Sequence, residues 1–188
     1  MRRLVPLVAL LVGLTGCMGD DGTTSGDDRG DRGDRGDAGG GRRDHRSLLE
    51  SDRRDAGELV RVLAPRLVAE LVGTAQHPRG SFRGCRGRAP EGVAAVEYVA
   101  TVRIDAGRGA PDDLLQPVPS YLGGPKEAVR SEVPGGSRVT APRGALTVTV
   151  TTRPAAGPFL LVAVTGRCHE IPADEQGEWL DRGVDDLT

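Results

Sequence analysis

Ala145-Leu146-Thr147-Val148-Thr149-Val150-Thr151-Thr152, followed after a short connection by Phe159-Leu160-Leu161-Val162-Ala163-Val164-Thr165, is the stretch that decides the fold. In the first run Leu146, Val148 and Val150 alternate with Thr147, Thr149 and Thr151. That period of two describes a strand with one buried face. The second run is almost wholly apolar, which suits a strand near the middle of a sheet. The link Arg153-Pro154-Ala155-Ala156-Gly157-Pro158 is short and rich in turn residues, so the two runs form an antiparallel hairpin.

Working outward, Val93 to Asp105 repeats the pattern. Val96, Tyr98, Ala100, Val102 and Ile104 alternate with Glu97, Val99, Thr101 and Arg103. Arg138 to Ala141 adds a strand, turned back by Pro142-Arg143-Gly144, and Pro111 to Leu122 reads as a short helix with Pro111 in its first turn. Upstream the period changes. Leu48, Asp52, Ala56, Leu59, Leu63, Leu67 and Leu71 recur every three or four residues, with Val60, Val68 and Val72 widening the stripe. This predicts an amphipathic helix from Ser47 to Ala75. Glu50 with Arg54 and Arg66 with Glu70 supply i,i+4 pairs. Pro65 removes a backbone donor, which predicts a kink or two abutting helices. Gly73 and the Gln76-His77-Pro78-Arg79-Gly80 segment end the element. The fold class is therefore α+β: an N-terminal amphipathic helix packed on a small antiparallel sheet, in two layers.

The first 46 residues follow other rules. Arg2 and Arg3 precede an apolar run from Leu4 to Leu14, and the run closes on Leu14-Thr15-Gly16-Cys17. It is too short to span a bilayer, and it has the layout of an export signal. Residues 14–17 resemble a bacterial lipobox, which implies that residues 1–16 are removed and that Cys17 becomes the acylated first residue of the mature chain. Two acyl chains hold a protein at a membrane where one barely does. Residues 17–46 read as the lipidated cysteine and a disordered Gly/Arg/Asp linker, with almost nothing apolar to bury. As a coil it reaches roughly 30 Å. Its triplet repeat, Arg29-Gly30-Asp31 to Arg35-Gly36-Asp37, resembles an adhesive Arg-Gly-Asp motif, but a soluble spacer of this composition contains such triplets anyway. The remaining residues, 47–188, form one domain.

Of the three cysteines, Cys17 goes to lipid, and Cys85 and Cys168 remain as an even pair in an exported domain, where a disulfide is the expected state. The competing reading is a metal site made by Cys85, Cys168 and His169, but adjacent ligands at 168 and 169 are awkward and no second pair has zinc-site spacing. No cofactor motif is present: Gly-x-Ser-x-Gly, His-Glu-x-x-His, phosphate-loop and dinucleotide patterns are all missing from the sequence. His169 beside Glu170 is the one pair that resembles an acid/base unit. Cleavage after Gly16 removes Arg2 and Arg3 from the 25 basic residues and leaves 23 against 27 acidic ones, a net charge of −4. Nucleic acid is not an expected partner of such a chain. Arg79, Arg83, Arg86 and Arg88 crowd around Cys85, whereas Asp174, Glu175, Glu178, Asp181, Asp185 and Asp186 follow Cys168. The basic cluster reads either as an anion-binding loop, for wall polymers or lipid headgroups, or as the docking partner of the acidic tail, with Trp179 as apolar anchor.

Taken together, Cys17, the polar linker, the Leu48–Leu71 stripe, Cys85 after the helix and the terminal Gly166-Arg167-Cys168 make the chain similar to small actinobacterial lipoproteins of unknown function. Phe82 and Cys85-Arg86 stand where that layout has Trp and Cys-Gly. The resemblance implies no activity and no catalytic residues. The expectation is a non-enzymatic envelope module held on the outer face of the cell membrane through Cys17, binding an envelope protein or wall component. The alternatives are an extracytoplasmic hydrolase using His169 and a passive spacer. Cys17→Ser is expected to abolish lipid modification and move the protein from the detergent phase to the aqueous phase on partitioning; a wild-type mature chain that is already aqueous, or begins elsewhere, overturns the anchor.

Overall fold

The computed structural model describes residues 40–188 except Arg86, Arg88, Ala89 and Pro125, with side chains from His45 onward. The signal segment, Cys17, most of the linker and two arginines of the basic cluster therefore lie outside the described residues. The order of elements is α1 (Gly40–Glu70), β1 (Thr74–Ala75), β2 (Arg79–Gly84), β3 (Val93–Asp105), α2 (Val118–Tyr121), β4 (Val129–Val133), β5 (Gly136–Arg143), β6 (Leu146–Thr152), β7 (Phe159–Thr165), β8 (His169–Pro172), α3 (Gln176–Leu180) and β9 (Asp185–Asp186).

The mixed helix and antiparallel sheet expected from the sequence is present, but the sheet is not small. It has nine strands, ordered β4-β5-β6-β7-β3-β2-β9, with β1 and β8 also on β3. The hairpin of β6 and β7 pairs Val148 with Val164 and Val150 with Val162. β7 in turn pairs Val164 with Ala100 and Val162 with Val102 of β3. One face of these three strands is consequently a lattice of Val and Ala, and its residues are fully or nearly fully buried. β2, β4, β8 and β9 carry too few apolar residues to show a period, so the sequence does not reveal them.

α1 covers that face. Leu49, Ala56, Val60, Leu63, Ala64, Leu67 and Leu71 are all buried. Each leucine that is fully covered contributes about 1.5–3 kcal/mol. The stripe differs from the expected one at its ends: Leu49 is buried and Leu48 is 45% exposed, and Val72 is 63% exposed. Pro65 stands inside one continuous helix with its ring exposed, so the chain does not break into two helices there. The helix also starts earlier than Ser47, taking in residues that the sequence assigns to the linker. It closes with Val72 N–H donating to Ala69 O and Gly73 N–H donating to Val68 O, the paired bonds of a Schellman cap. The left-handed residue of the cap is Val72, at φ 47°, while Gly73 is needed for close approach, since a Cβ there would lie 2.2 Å from the Asp105 carbonyl oxygen.

Cys85 and Cys168 form a disulfide with 6.1 Å between Cα atoms, across a sequence separation of 83. It ties the end of β2 to the turn between β7 and β8. Neither sulfur is then a thiolate able to bind a metal. In the chain-entropy account a loop of this length is worth about 4–5 kcal/mol. Reducing the bridge is expected to destabilise the domain by about 2–5 kcal/mol and lower its melting temperature by roughly 5–15 °C, read by calorimetry with and without reductant. Two free thiols in material isolated without reductant would contradict it.

Candidate functional site

Polar residues gather along the first turns of α1. Asp52 lies on the buried stripe of the helix, and a carboxylate in that position must find donors. It finds two. Arg167 N–H donates to Asp52 Oδ2 at 2.8 Å, and His169 Nε2 donates to the same oxygen at 2.9 Å. The approach depends on Gly166, where a Cβ would stand 2.5 Å from that oxygen. His169 is thus oriented by Asp52 and not by Glu170, which is exposed on β8. The strand explains this: neighbouring residues point to opposite faces, so His169 and Glu170 cannot meet. A histidine held by a carboxylate resembles the base-and-orienter pair of a catalytic triad, although here the carboxylate holds Nε2 and not Nδ1. Among the described residues, no hydroxyl or thiol is hydrogen-bonded to His169.

The acidic tail meets the same stretch of helix. Asp185 receives both Nε and Nη2 of Arg53, at 2.8 and 2.7 Å, and the Tyr98 hydroxyl at 2.8 Å. Arg46 Nη1 donates to Glu178 at 2.8 Å, His45 pairs with Glu175 at 3.1 Å, and Arg182 of the tail reaches Glu50. Arg61 Nε donates to the Leu187 carbonyl at 3.0 Å. Trp179 is buried edge-on against Phe82 with ring centroids 4.8 Å apart, and Arg182 lies 3.8 Å over the indole. Gly80 makes room for the phenol: a Cβ there would be 1.8 Å from the Tyr98 oxygen.

The charges respond to these neighbours. Burial, together with the adjacent Asp185 carboxylate, raises the Tyr98 hydroxyl. Burial pushes the Glu50 carboxyl up, but the hydrogen bonds from Arg182 and Arg53 outweigh it and the net direction is down. The hydrogen bond from Arg46 holds Glu178 below its ordinary value. Carboxylates held low in the folded state stabilise it above their unfolded values and lose that contribution as pH falls.

The basic cluster has a different fate from the tail. Arg79, Ser81 and Arg83 alternate onto the outer face of β2, away from α1. Arg83 Nε pairs with Glu97 at 2.7 Å. Arg79 lies between Thr101 of β3 and Asp186 of β9 in the strand register, and its guanidinium makes no hydrogen bond or ion pair with a described residue. Arg86 and Arg88 lie outside the described residues. Among the described residues, the tail carboxylates Glu175, Glu178 and Asp185 pair with His45, Arg46 and Arg53 of α1 rather than with Arg79 or Arg83. The helix crosses the inner face of the sheet, where the tail also packs, whereas the odd-numbered residues of β2 point outward.

That outer face carries a groove of about 610 Å³ lined by Gln76, His77, Arg79, Thr101, Arg103 and Leu161 among others. Arg103 is fixed there: its Nε donates to Asp105 at 2.7 Å, and its guanidinium lies 3.9 Å over the Phe159 ring. Leu161 is 43% exposed in the floor. The residues missed by sequence reasoning are Asp52, His45, Arg46, Arg53 and Tyr98. For Asp52 a signal was there, a lone carboxylate inside an apolar stripe.

Comparison of the chain with protein-family models, with curated proteins and with solved structures found no match.

Replacing Asp52 by alanine leaves the Arg167 amide and the His169 ring without their shared acceptor in a buried place. Asp52→Ala is expected to cost about 2–4 kcal/mol by urea denaturation with the disulfide intact, and Asp52→Asn, which keeps an acceptor, less.

Proposed function

We propose that this chain is a lipid-anchored, extracytoplasmic binding module, and that its ligand surface is the outer face of the sheet. The observation that carries the reading is an asymmetry of coverage. α1 closes one face of the sheet, whereas Thr147, Thr149, Thr151, Leu161, Thr101 and Arg79 on the other are covered by no described element. A half-exposed leucine, a row of hydroxyls and a guanidinium that makes no hydrogen bond with a described residue together offer both apolar contact and anion recognition. The anchor belongs to the same reading. An acyl group on Cys17 and a polar linker would hold such a face within reach of envelope proteins and wall polymers, as in the actinobacterial lipoproteins of similar layout.

A photo-crosslinking residue in place of Leu161, introduced in cells, tests this. One dominant adduct with an envelope protein or wall component is expected, and Arg79→Glu should reduce it about tenfold, the range in which loss of a charged contact falls. A chain that yields no specific adduct is a passive spacer, and the proposal fails.

The Asp52–His169 pair favours a second reading, an extracytoplasmic hydrolase that uses His169 as base. Reproducible turnover by the purified domain in a hydrolase panel, abolished in His169→Gln, would establish that reading in place of the first.

A further inference from the structure

We infer that the segment from Ala173 to Leu187 is a charge-held strap that lifts off α1 on acidification while the sheet remains folded. Its backbone is tied down at few points. β9 pairs only Asp185 and Asp186 with the edge strand β2. Ala173 N–H donates to Gly92 O and Leu187 N–H to Pro78 O, and α3 is five residues long. The remaining polar ties run mainly through side-chain charges: Glu175, Glu178 and Asp185 face His45, Arg46 and Arg53 of α1, and Arg182 faces Glu50, with the Tyr98 hydroxyl on Asp185 and Arg61 on the Leu187 carbonyl besides. Segments held mainly by exposed or half-exposed contacts are the ones that open locally, below the free energy of global unfolding.

The apolar anchor of the strap is incomplete. Trp179 is 1% exposed, yet its indole N–H has no hydrogen-bond acceptor among the described residues. Docking the ring therefore gives up the hydrogen bond that the open strap makes to water. Closure then depends on the ion pairs to a degree that the buried area of a tryptophan alone would not require.

The groups facing the strap set the direction of the response. From α1 they are His45, Arg46, Glu50, Arg53 and Arg61, and from β3 Tyr98; His77 and Arg79 face Asp186. The strap itself carries Asp174 and Asp181 besides the paired carboxylates. Glu50 and Glu178 are held below their ordinary values by arginines across the junction, so both lose their ion pairs as pH falls through the carboxylate range. Opening consequently belongs to the protonation of these carboxylates. The surface it uncovers contains Phe82, Tyr98 and the Arg53 guanidinium.

Trp179 is the single tryptophan of the chain, so its fluorescence reports the strap alone. In the full-length oxidised protein, acrylamide quenching of Trp179 is expected to rise about threefold, with a red shift of emission, between pH ~6 and ~4, before far-UV circular dichroism changes. Salt should move that transition toward neutral pH, because exposed ion pairs are screened. The double variant Glu50→Gln, Glu178→Gln should show raised quenching already at neutral pH, with the sheet signal retained. The inference is overturned if emission and dichroism change together in a single transition, or if salt leaves the Trp179 transition of the parent protein in place.

Discussion

One helix has to cover the apolar face of a sheet wider than itself, and the rest of the structure follows from that mismatch. A helix is about 10 Å across, and strands lie about 4.8 Å apart, so α1 can close only the central strands. It does so with small-faced partners: Val and Ala of β3, β6 and β7 lie under the leucines of one stripe. The flanks need other cover. Beside β5, Leu114, Leu115, Val118 and Leu122 join the same core, with Arg143 holding the Tyr121 carbonyl. On the β2 side the cover is the C-terminal tail, through Trp179 and Leu187, which packs against Gly57 of the helix.

This division of labour explains where the polar residues are buried. The helix meets the tail and the end of β7 at its N-terminal half, and there Asp52, His45, Arg46 and Arg53 find partners far away in sequence. Asp52 is the most confined of them, because Gly166 admits it and two donors converge on a single oxygen. Apart from His45 with Glu175, the tail contacts are more exposed, and Glu50 and Glu178 are held low by arginines across the junction. The same end of the domain thus contains one tightly buried polar tie and one that solvent can reach.

Among the described residues, the outer face of the sheet has no comparable cover. Its threonines and arginines can remain in water, as an antiparallel sheet allows on one side. Arg103 is held by Asp105 and Phe159, whereas Arg79 has strand neighbours but no hydrogen bond with a described residue. The two faces thus differ in kind, one closed by α1 and the other open to solvent.

The sequence by itself determined the elements whose period is unbroken. Val93–Asp105 and Phe159–Thr165 have the bounds read from the alternation, and Leu146–Thr152 differs from its reading by one residue. The helix stripe was legible from Ala56 to Leu71, and the pairing of Cys85 with Cys168 was the expected state of the even pair left beside Cys17. Tertiary structure decided the remainder. β2, β4, β8 and β9 are strands because a neighbouring strand offers them hydrogen bonds, which no local pattern records. The candidate site was out of reach for the same reason. Asp52 and His169 are separated by 117 residues and His45 and Glu175 by 130. Charged side chains carry no period of their own, and only the packing of a helix against a sheet brings such residues within a hydrogen bond of each other.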